Sequence, residues 1–278
     1  MVTMGEVNKD ILRIDTDTSV AVPPEFLSRE VLLQGGPESS LFSQRKDTAL
    51  GLEQFRLLQT RLTELQTQES FKRVLVTSAV QGEGKTHVTA NLALTLATEG
   101  SRKVLVIDAD VYNPALHLAF GLPNDSGLGN WLRVGREPWK VMSKIKGKDL
   151  YVMTGGSGGS KSLSQSNLAS LRTLLDQVSS AFDLILIDAP PLLTTVDARL
   201  LSTVADAALI VVRAGSTPRE VVLKAKQMIE RQPILGIILN RLDPTDDCYA
   251  LHYQYGIYGE RARSRDKRKP SAPGSQRK

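Results

Sequence analysis

The sequence predicts an α/β protein with a doubly wound, mainly parallel sheet. Three observations lead there. Short apolar runs recur at 73–78, 103–109, 150–154, 183–189, 207–213 and 234–240. Their near-continuous Val, Ile and Leu content suits strands covered on both faces. Segments of helical spacing separate most of these runs, and the glycine-containing turn "QGEGKT" joins the first run directly to one of them.

Taken in order, residues 1–46 show no sustained period and contain "VPPE" and "QGGPESS", so they read as a mostly irregular arm. One domain is expected over 47–245. It opens with a helix over 49–65, where Leu52, Phe55, Leu58, Leu62 and Leu65 recur every three or four residues. The strand at 73–78 and the helix at 85–99 flank the turn. Further helices are predicted near 166–181, 196–204 and 217–231, each leading towards the next strand. The stretch "GGSGGSKSLSQS" (155–166) reads as a flexible loop at a strand end, where ligands of such sheets bind. Residues 246–278 form a tail. The sequence has no internal repeat.

Composition narrows the class. No apolar run approaches the ~20 residues of a membrane span. The opening "MVTMGEVNKD" lacks the basic and apolar regions of a secretory signal. A single Cys248 excludes an intramolecular disulfide framework and a cysteine-built metal cluster. A soluble intracellular protein is the expectation. The net charge of +5 is unevenly placed: residues 259–278 hold eight Lys/Arg against two Asp/Glu, so the remainder is close to neutral. That end has too few apolar residues to fold alone. It reads either as a solubilising end or as a binder of acidic lipid or an acidic partner. It carries no aromatic or groove-reading element, so nucleic acid is not the expected ligand.

The chemistry concentrates in "VLVTSAVQGEGKTHVTANLA" (74–93). A strand, a glycine turn and a helix in that order aim backbone N–H groups at phosphate oxygens. Gly82 and Gly84 permit close backbone approach, Lys85 reaches the outer phosphates, and the Thr86 hydroxyl can ligate Mg²⁺. Gln81, Glu83 and His87 complete the predicted nucleotide-binding stretch. Ala79 stands where GxxxxGK[ST] has its first glycine. Carboxylates end two apolar strands: Asp108 and Asp110 close "VLVIDAD", and Asp188 closes "LILID". Magnesium takes oxygen ligands and keeps several waters, so one or two carboxylates suffice. The metal candidates are Thr86, Asp108 and Asp188. Asp108 and Asp110 would share a face if their strand stays regular to its end. One would then hold metal-bound water while the other orients a hydroxyl nucleophile.

These motifs, together with "DVYNPALHLAFGL", "DAPP", "DARLLSTVADAALIVVRAG" and "GIILNRLD", resemble the bacterial tyrosine kinases of capsule and exopolysaccharide systems. The resemblance spans about residues 49–258. It implies a P-loop NTPase fold of the partition- and septum-ATPase superfamily, with ATP and Mg²⁺ as cofactors. It places Lys85, Asp108, Asp110 and Asp188 as catalytic residues, and Asn240 and Arg241 near the adenine. It implies protein-tyrosine autokinase activity regulating polysaccharide polymerisation or export. Tyr249, Tyr253, Tyr255 and Tyr258 would be the acceptors.

The implied partners are a membrane-embedded polysaccharide co-polymerase that activates the kinase, further copies of the chain and a tyrosine phosphatase. The implied location is cytoplasmic, held to the inner face of the membrane through that activator. Glu53 and Arg56 match two positions of an ExxRxxR subunit-joining element, whose third position here is Gln59. Val111, Tyr112 and Asn113 follow Asp110 where the family often has arginine. Val80 replaces the second lysine of the partition and septum-positioning ATPases. The alternatives are an ATP-dependent positioning switch and a nucleotide-binding regulator that transfers no phosphate.

Overall fold

A computed structural model describes residues 30–33, 41, 49–134, 137–157 and 164–242. The tyrosine cluster and the basic tail lie outside the described residues, as does most of the arm. The elements are β1 (Glu30–Val31), α1 (Ala49–Gln68), β2 (Arg73–Ser78), α2 (Lys85–Thr98), β3 (Val104–Asp108), α3 (Leu116–Phe120), α4 (Leu128–Val134), β4 (Met142–Ile145), β5 (Leu150–Met153), α5 (Gln165–Val178), β6 (Leu184–Asp188), α6 (Val196–Ser202), β7 (Ala207–Arg213), α7 (Arg219–Gln227) and β8 (Ile234–Asn240). They build one eight-stranded sheet in the order β1-β4-β5-β3-β6-β2-β7-β8. Only the β4–β5 pair is antiparallel.

All six expected strands are present. For β2, β3, β5, β6 and β7 the continuous apolar content is explained by two cores, one on each face of the sheet; β8 is instead an edge strand, with Ile237 and Leu239 exposed. Alternate residues of the same strand feed opposite cores. Leu75, Leu105, Ile107, Ile185, Ile187 and Ile210 meet helices α4–α7. Val74, Val76, Val106, Leu186, Leu209 and Val211 meet α1–α3. Helix α2 is buried at every position from Val88 to Ala97. A helix buried on all sides must sit between layers. Here Phe55 and Leu62 of α1 belong to the same core as α2 and the sheet, and small residues such as Ala90, Ala93 and Ala97 permit the close packing.

Four elements were not foreseen. The strand β4 shows apolar residues only at Met142 and Ile145, too sparse for a period. Helices α3 and α4 span five and seven residues, less than the window over which helical spacing can be read. The arm expected to be mostly irregular supplies β1, which pairs in parallel with β4 at Glu30↔Lys144 and Val31↔Ile145. It also supplies Leu41, which is fully buried. Two residues cannot show a repeat, so only the tertiary partner reveals this strand. Helix α7 ends at Gln227, short of the expected 231.

The sheet order places β3, β6 and β2 side by side. Asp108 and Asp188 face each other in register at the carboxyl ends of β3 and β6. The turn after β2 begins beside them. Residues about eighty apart in sequence are thus brought to one end of the sheet, where ligands of doubly wound folds bind.

Candidate active site

The turn between β2 and α2 is shaped by two glycines. Gly82 has φ +85° and Gly84 has φ +89°. Both values are costly for residues with a Cβ. Gly84 immediately precedes α2, so the turn delivers its backbone to the N-terminus of a 14-residue helix. The two glycines differ in their surroundings. A Cβ at Gly82 would meet nothing within 4 Å, whereas one at Gly84 would lie 2.1 Å from Asn240 Nδ2. Gly82→Ala is therefore expected to carry backbone strain alone, about 1–2 kcal/mol. Gly84→Ala adds displacement of the Asn240 amide and should weaken nucleotide binding more. Titration of both variants with a fluorescent ADP checks this; equal affinities would contradict it.

Five charged or hydroxyl groups meet behind the turn: Lys85, Thr86, Thr89, Asp110 and Asp188. Lys85 Nζ lies 2.8 Å from Asp110 Oδ2 and 4.0 Å from Asp188 Oδ1. The Thr86 hydroxyl donates to Asp188 Oδ2 at 2.7 Å. Thr89 Oγ1 donates to the Lys85 carbonyl at 2.9 Å and lies 3.3 Å from Asp188 Oδ1. Burial opposes the charge on Lys85, but Asp188 and Asp110 outweigh it and hold its pKa above the ordinary lysine value. Burial pushes Asp188 above the usual carboxylate range, although Lys85 and Thr86 act in the opposite direction. Asp108 is pushed up to about 7, first by burial and then by the Asp188 carboxylate.

The two carboxylates of "DAD" do not share a face. Strand β3 ends at Asp108, and Asp110 lies beyond it. The Asp108 carboxylate accepts backbone N–H groups of Asp110, Ala115 and Leu116, at 3.2, 2.9 and 2.9 Å. It anchors the loop that enters α3. Asp110 instead accepts from Asn113 N and from Lys85, and it lines the cavity at the sheet end. This outcome depends on where the strand stops, which spacing alone cannot say.

That cavity encloses about 760 Å³. Gln81, Gly82, Gly84, Lys85 and Thr86 form one wall. The rest of the lining includes Tyr112, Asn113, Pro190, Thr195 and Asp197. Of these, Tyr112 and Asn113 entered the sequence reading only within a resemblance motif and as departures from the family pattern, and "APP" only as part of a motif. Thr195 Oγ1 is buried and has no hydrogen-bond partner among the described residues. Glu83, His87, Asn240 and Arg241 do not line the cavity. The Glu83 carboxylate turns inward and is 2% exposed. His87 lies edge-on to Phe55, with ring centroids 6.2 Å apart. Asn240 Nδ2 donates to the Glu83 carbonyl at 2.8 Å, and Arg241 N donates to Asn240 Oδ1 at 2.9 Å. On α1, Arg56 bridges Glu53 at 3.5 Å and Glu99 at 3.1 Å, with all three side chains solvent-exposed.

The donors at the turn are oxygens of one threonine and one aspartate. That is a hard, sparse set that fits Mg²⁺ with retained waters. Among the described residues no three His, Cys, Asp or Glu side chains group as a metal cage. No helix of the described residues is long and apolar enough to cross a membrane.

Comparison with known proteins agrees with this architecture. The ParA family model, described as NUBPL iron-transfer P-loop NTPase, matches residues 70–266. The chain is 31% identical over 224 residues to the tyrosine-protein kinase YwqD of Bacillus subtilis, covering 80% of this chain and 92% of that protein. It is 32% identical over 197 residues to the tyrosine-protein kinase CpsD of Streptococcus agalactiae, covering 70% and 84%. Among solved structures it is similar to the chimerical protein CapA2B2, with a TM-score of 0.65 and 26% identity over 76% of this chain and 92% of that one. The kinase domain of the Escherichia coli tyrosine kinase ETK gives 0.62 and 25%, over 82% and 91%. A strand-turn-helix phosphate site, a sheet of this order and relatives matched over most of their length agree: the chain belongs to the bacterial tyrosine kinases of capsule and exopolysaccharide systems, built on the ParA-type P-loop nucleotide-binding fold.

Proposed function

We propose that the chain is an ATP-dependent protein-tyrosine autokinase that regulates polysaccharide polymerisation or export, with its own C-terminal tyrosines as acceptors. The observation that carries this reading is the convergence of Lys85, Thr86 and Asp110 on one cavity beside the glycine turn, with the buried Asp188 behind it bonded to Thr86. Phosphoryl transfer asks a protein mainly for positioning and charge neutralisation. Thr86 and Asp188 would hold Mg²⁺, which supplies charge neutralisation on the phosphate oxygens.

Lys85 changes partner in this scheme. Without nucleotide it clasps Asp110; with triphosphate it turns to the outer phosphates, and Asp110 is released. Asp110 then accepts a hydrogen bond from the acceptor tyrosine hydroxyl. The phenol oxygen forms a bond to the γ-phosphorus and the bond from that phosphorus to the bridging oxygen of ADP breaks. The phenolic proton passes to Asp110. Asp108 is assigned to holding the loop that carries Asp110. Glu53 and Arg56 are assigned to contacts between copies. A membrane-embedded co-polymerase is the proposed activator and anchor at the inner membrane face, and a tyrosine phosphatase the proposed opponent.

The test is to incubate the purified chain with ATP and Mg²⁺, with and without the activator's cytoplasmic segment, and to map phosphotyrosine. Label is expected on Tyr249, Tyr253, Tyr255 and Tyr258. Tyr151 should stay unlabelled, because it sits in β5 at 1% exposure. Replacing the four tail tyrosines by Phe should remove most label and leave ATP affinity unchanged. Equal labelling of that variant would exclude the tail as acceptor. The similarity to the Pyrococcus furiosus cell-division ATPase MinD, with a TM-score of 0.53, supports a second reading, a hydrolysis-driven switch. ATP hydrolysis without phosphotyrosine in the presence of the activator would favour it.

A further inference from the structure

A buried glutamate sits inside the phosphate turn and takes no part in the chemistry described above. Glu83 is 2% exposed, and no Lys or Arg ion-pairs with it among the described residues. Its carboxylate is held by hydrogen-bond donors from two directions. Oε2 accepts the Val80 N–H at 2.9 Å, at the start of the turn. Oε1 accepts the Thr217 hydroxyl at 2.7 Å and the Arg213 N–H at 3.3 Å, both from the segment that leaves β7 and enters α7. The Glu83 carbonyl accepts from the Asn240 amide at the end of β8 at 2.8 Å. One residue therefore ties the turn to itself, to the β7–α7 connection and to the edge strand.

Placing a carboxylate under a loop that must receive phosphates is electrostatically unfavourable. Geometry is what it offers in return. This turn has Ala79 where a glycine would ease the first bend, and Val80 where related ATPases carry a lysine. Its two glycines, at φ +85° and +89°, are free to adopt many conformations when unconstrained. The Glu83 carboxylate lies between them in sequence and bonds back to the residue at which the turn begins. Hydrogen bonds to a charged acceptor are stronger than neutral ones, so this arrangement can hold the turn in one shape.

We propose that Glu83 is a positioning residue that holds the phosphate loop in its nucleotide-binding shape, by clamping the Val80 N–H to the Thr217 hydroxyl and the Arg213 N–H without touching nucleotide. The inference rests on the nucleotide-binding reading of the turn. It does not depend on whether phosphate passes to tyrosine or to water.

The experiment measures the Kd of a fluorescent ADP and thermal stability, for wild type, Glu83→Ala, Glu83→Gln, Thr217→Val and the Glu83→Ala/Thr217→Val double variant. Glu83→Ala is expected to raise Kd about tenfold or more, because two part-buried N–H groups and the Thr217 hydroxyl lose a charged acceptor. Glutamine has one acceptor oxygen. It can keep the Val80 bond and donate its amide to Thr217, losing only the long Arg213 contact. Glu83→Gln should therefore stay within about threefold of wild type. Thr217→Val should raise Kd about threefold to fivefold, and should add nothing once Glu83 is alanine.

Rescue by glutamine together with non-additivity supports the clamp. Wild-type Kd in Glu83→Ala with lowered thermal stability would show a merely structural role and overturn it. If Glu83→Ala does not fold, Thr217→Val decides: an unchanged Kd overturns the clamp. A wild-type chain that binds no ADP overturns the nucleotide reading and the clamp together, whereas wild-type binding with unaltered variants overturns the clamp alone.

Discussion

Lys85→Met is expected to reduce tyrosine phosphorylation by about 10²–10³-fold or more, the loss typical when a preorganised charge on the reacting oxygens is removed. Lys85 lines the cavity, 2.8 Å from Asp110 and 4.0 Å from Asp188. Methionine has similar length and no charge, so it keeps the packing and deletes the chemistry. The same change alters the metal-free protein. Asp188, whose pKa burial already raises and Lys85 lowers, loses its nearby cation while remaining completely buried, at 0% exposure. An uncompensated buried carboxylate binds protons more readily in the folded state than in the unfolded chain. Stability therefore falls as pH rises through the raised folded pKa. The variant should melt near wild type at pH 5 and clearly below it at pH 8. Thermal melts at the two values check the fold, and phosphotyrosine quantified by mass spectrometry checks the chemistry. Normal labelling in a folded variant would remove Lys85 from the site.

Asp188→Asn should have the next largest effect, and its two consequences run in opposite directions. Its carboxylate accepts the Thr86 hydroxyl at 2.7 Å and is completely buried. Asparagine can still accept that hydrogen bond, but it carries no charge to hold Mg²⁺ with Thr86. Phosphorylation at limiting Mg²⁺ should fall by about 10²-fold or more, with partial recovery at high Mg²⁺. In the metal-free protein the change removes a charge facing Asp108 across β3 and β6. Asp108 is pushed up to about 7, first by burial and then by Asp188. Between the usual carboxylate range and that value the folded chain binds more protons than the unfolded one, so stability declines as pH rises through the window. Asp188→Asn should lower the Asp108 pKa and flatten that decline. A melt series from pH 4 to 8 in EDTA tests the second consequence. Unchanged Mg²⁺ dependence would exclude Asp188 from the metal site; an unchanged pH slope would exclude its coupling to Asp108.

The site was legible in the sequence to the extent that its chemistry is local. Gly82, Gly84, Lys85 and Thr86 occupy one turn, and covalent connectivity alone sets their spacing. The strands β2, β3, β5, β6 and β7 were legible for a similar reason, whereas β8 carries its apolar run as an edge strand with Ile237 and Leu239 exposed. Each of those five is buried on both faces, so an unbroken apolar run is the only pattern it can carry. The convergence of Asp188 with Thr86 depends on β6 pairing beside β2, which the strand-end pattern anticipated and the sheet order made concrete.

Other features were decided only when the chain closed on itself. Whether Asp108 or Asp110 enters the cavity turns on β3 ending one residue before Ala109. Beyond that point Asp108 satisfies the backbone N–H groups at the entry to α3, and no spacing rule records it. Glu83 reads in sequence as one more polar residue of a phosphate turn. Its partners Arg213 and Thr217 lie 130 and 134 residues away, so its inward position is a property of the β2–β7 pairing. Strand β1 has two residues and hence no period; it exists because β4 offers it a free edge. By itself the sequence determined what could be read from bonds along the chain and from burial on both faces of a strand. Long-range pairing, which fixes direction as well as distance, decided which carboxylate faces the ligand and which one holds the frame.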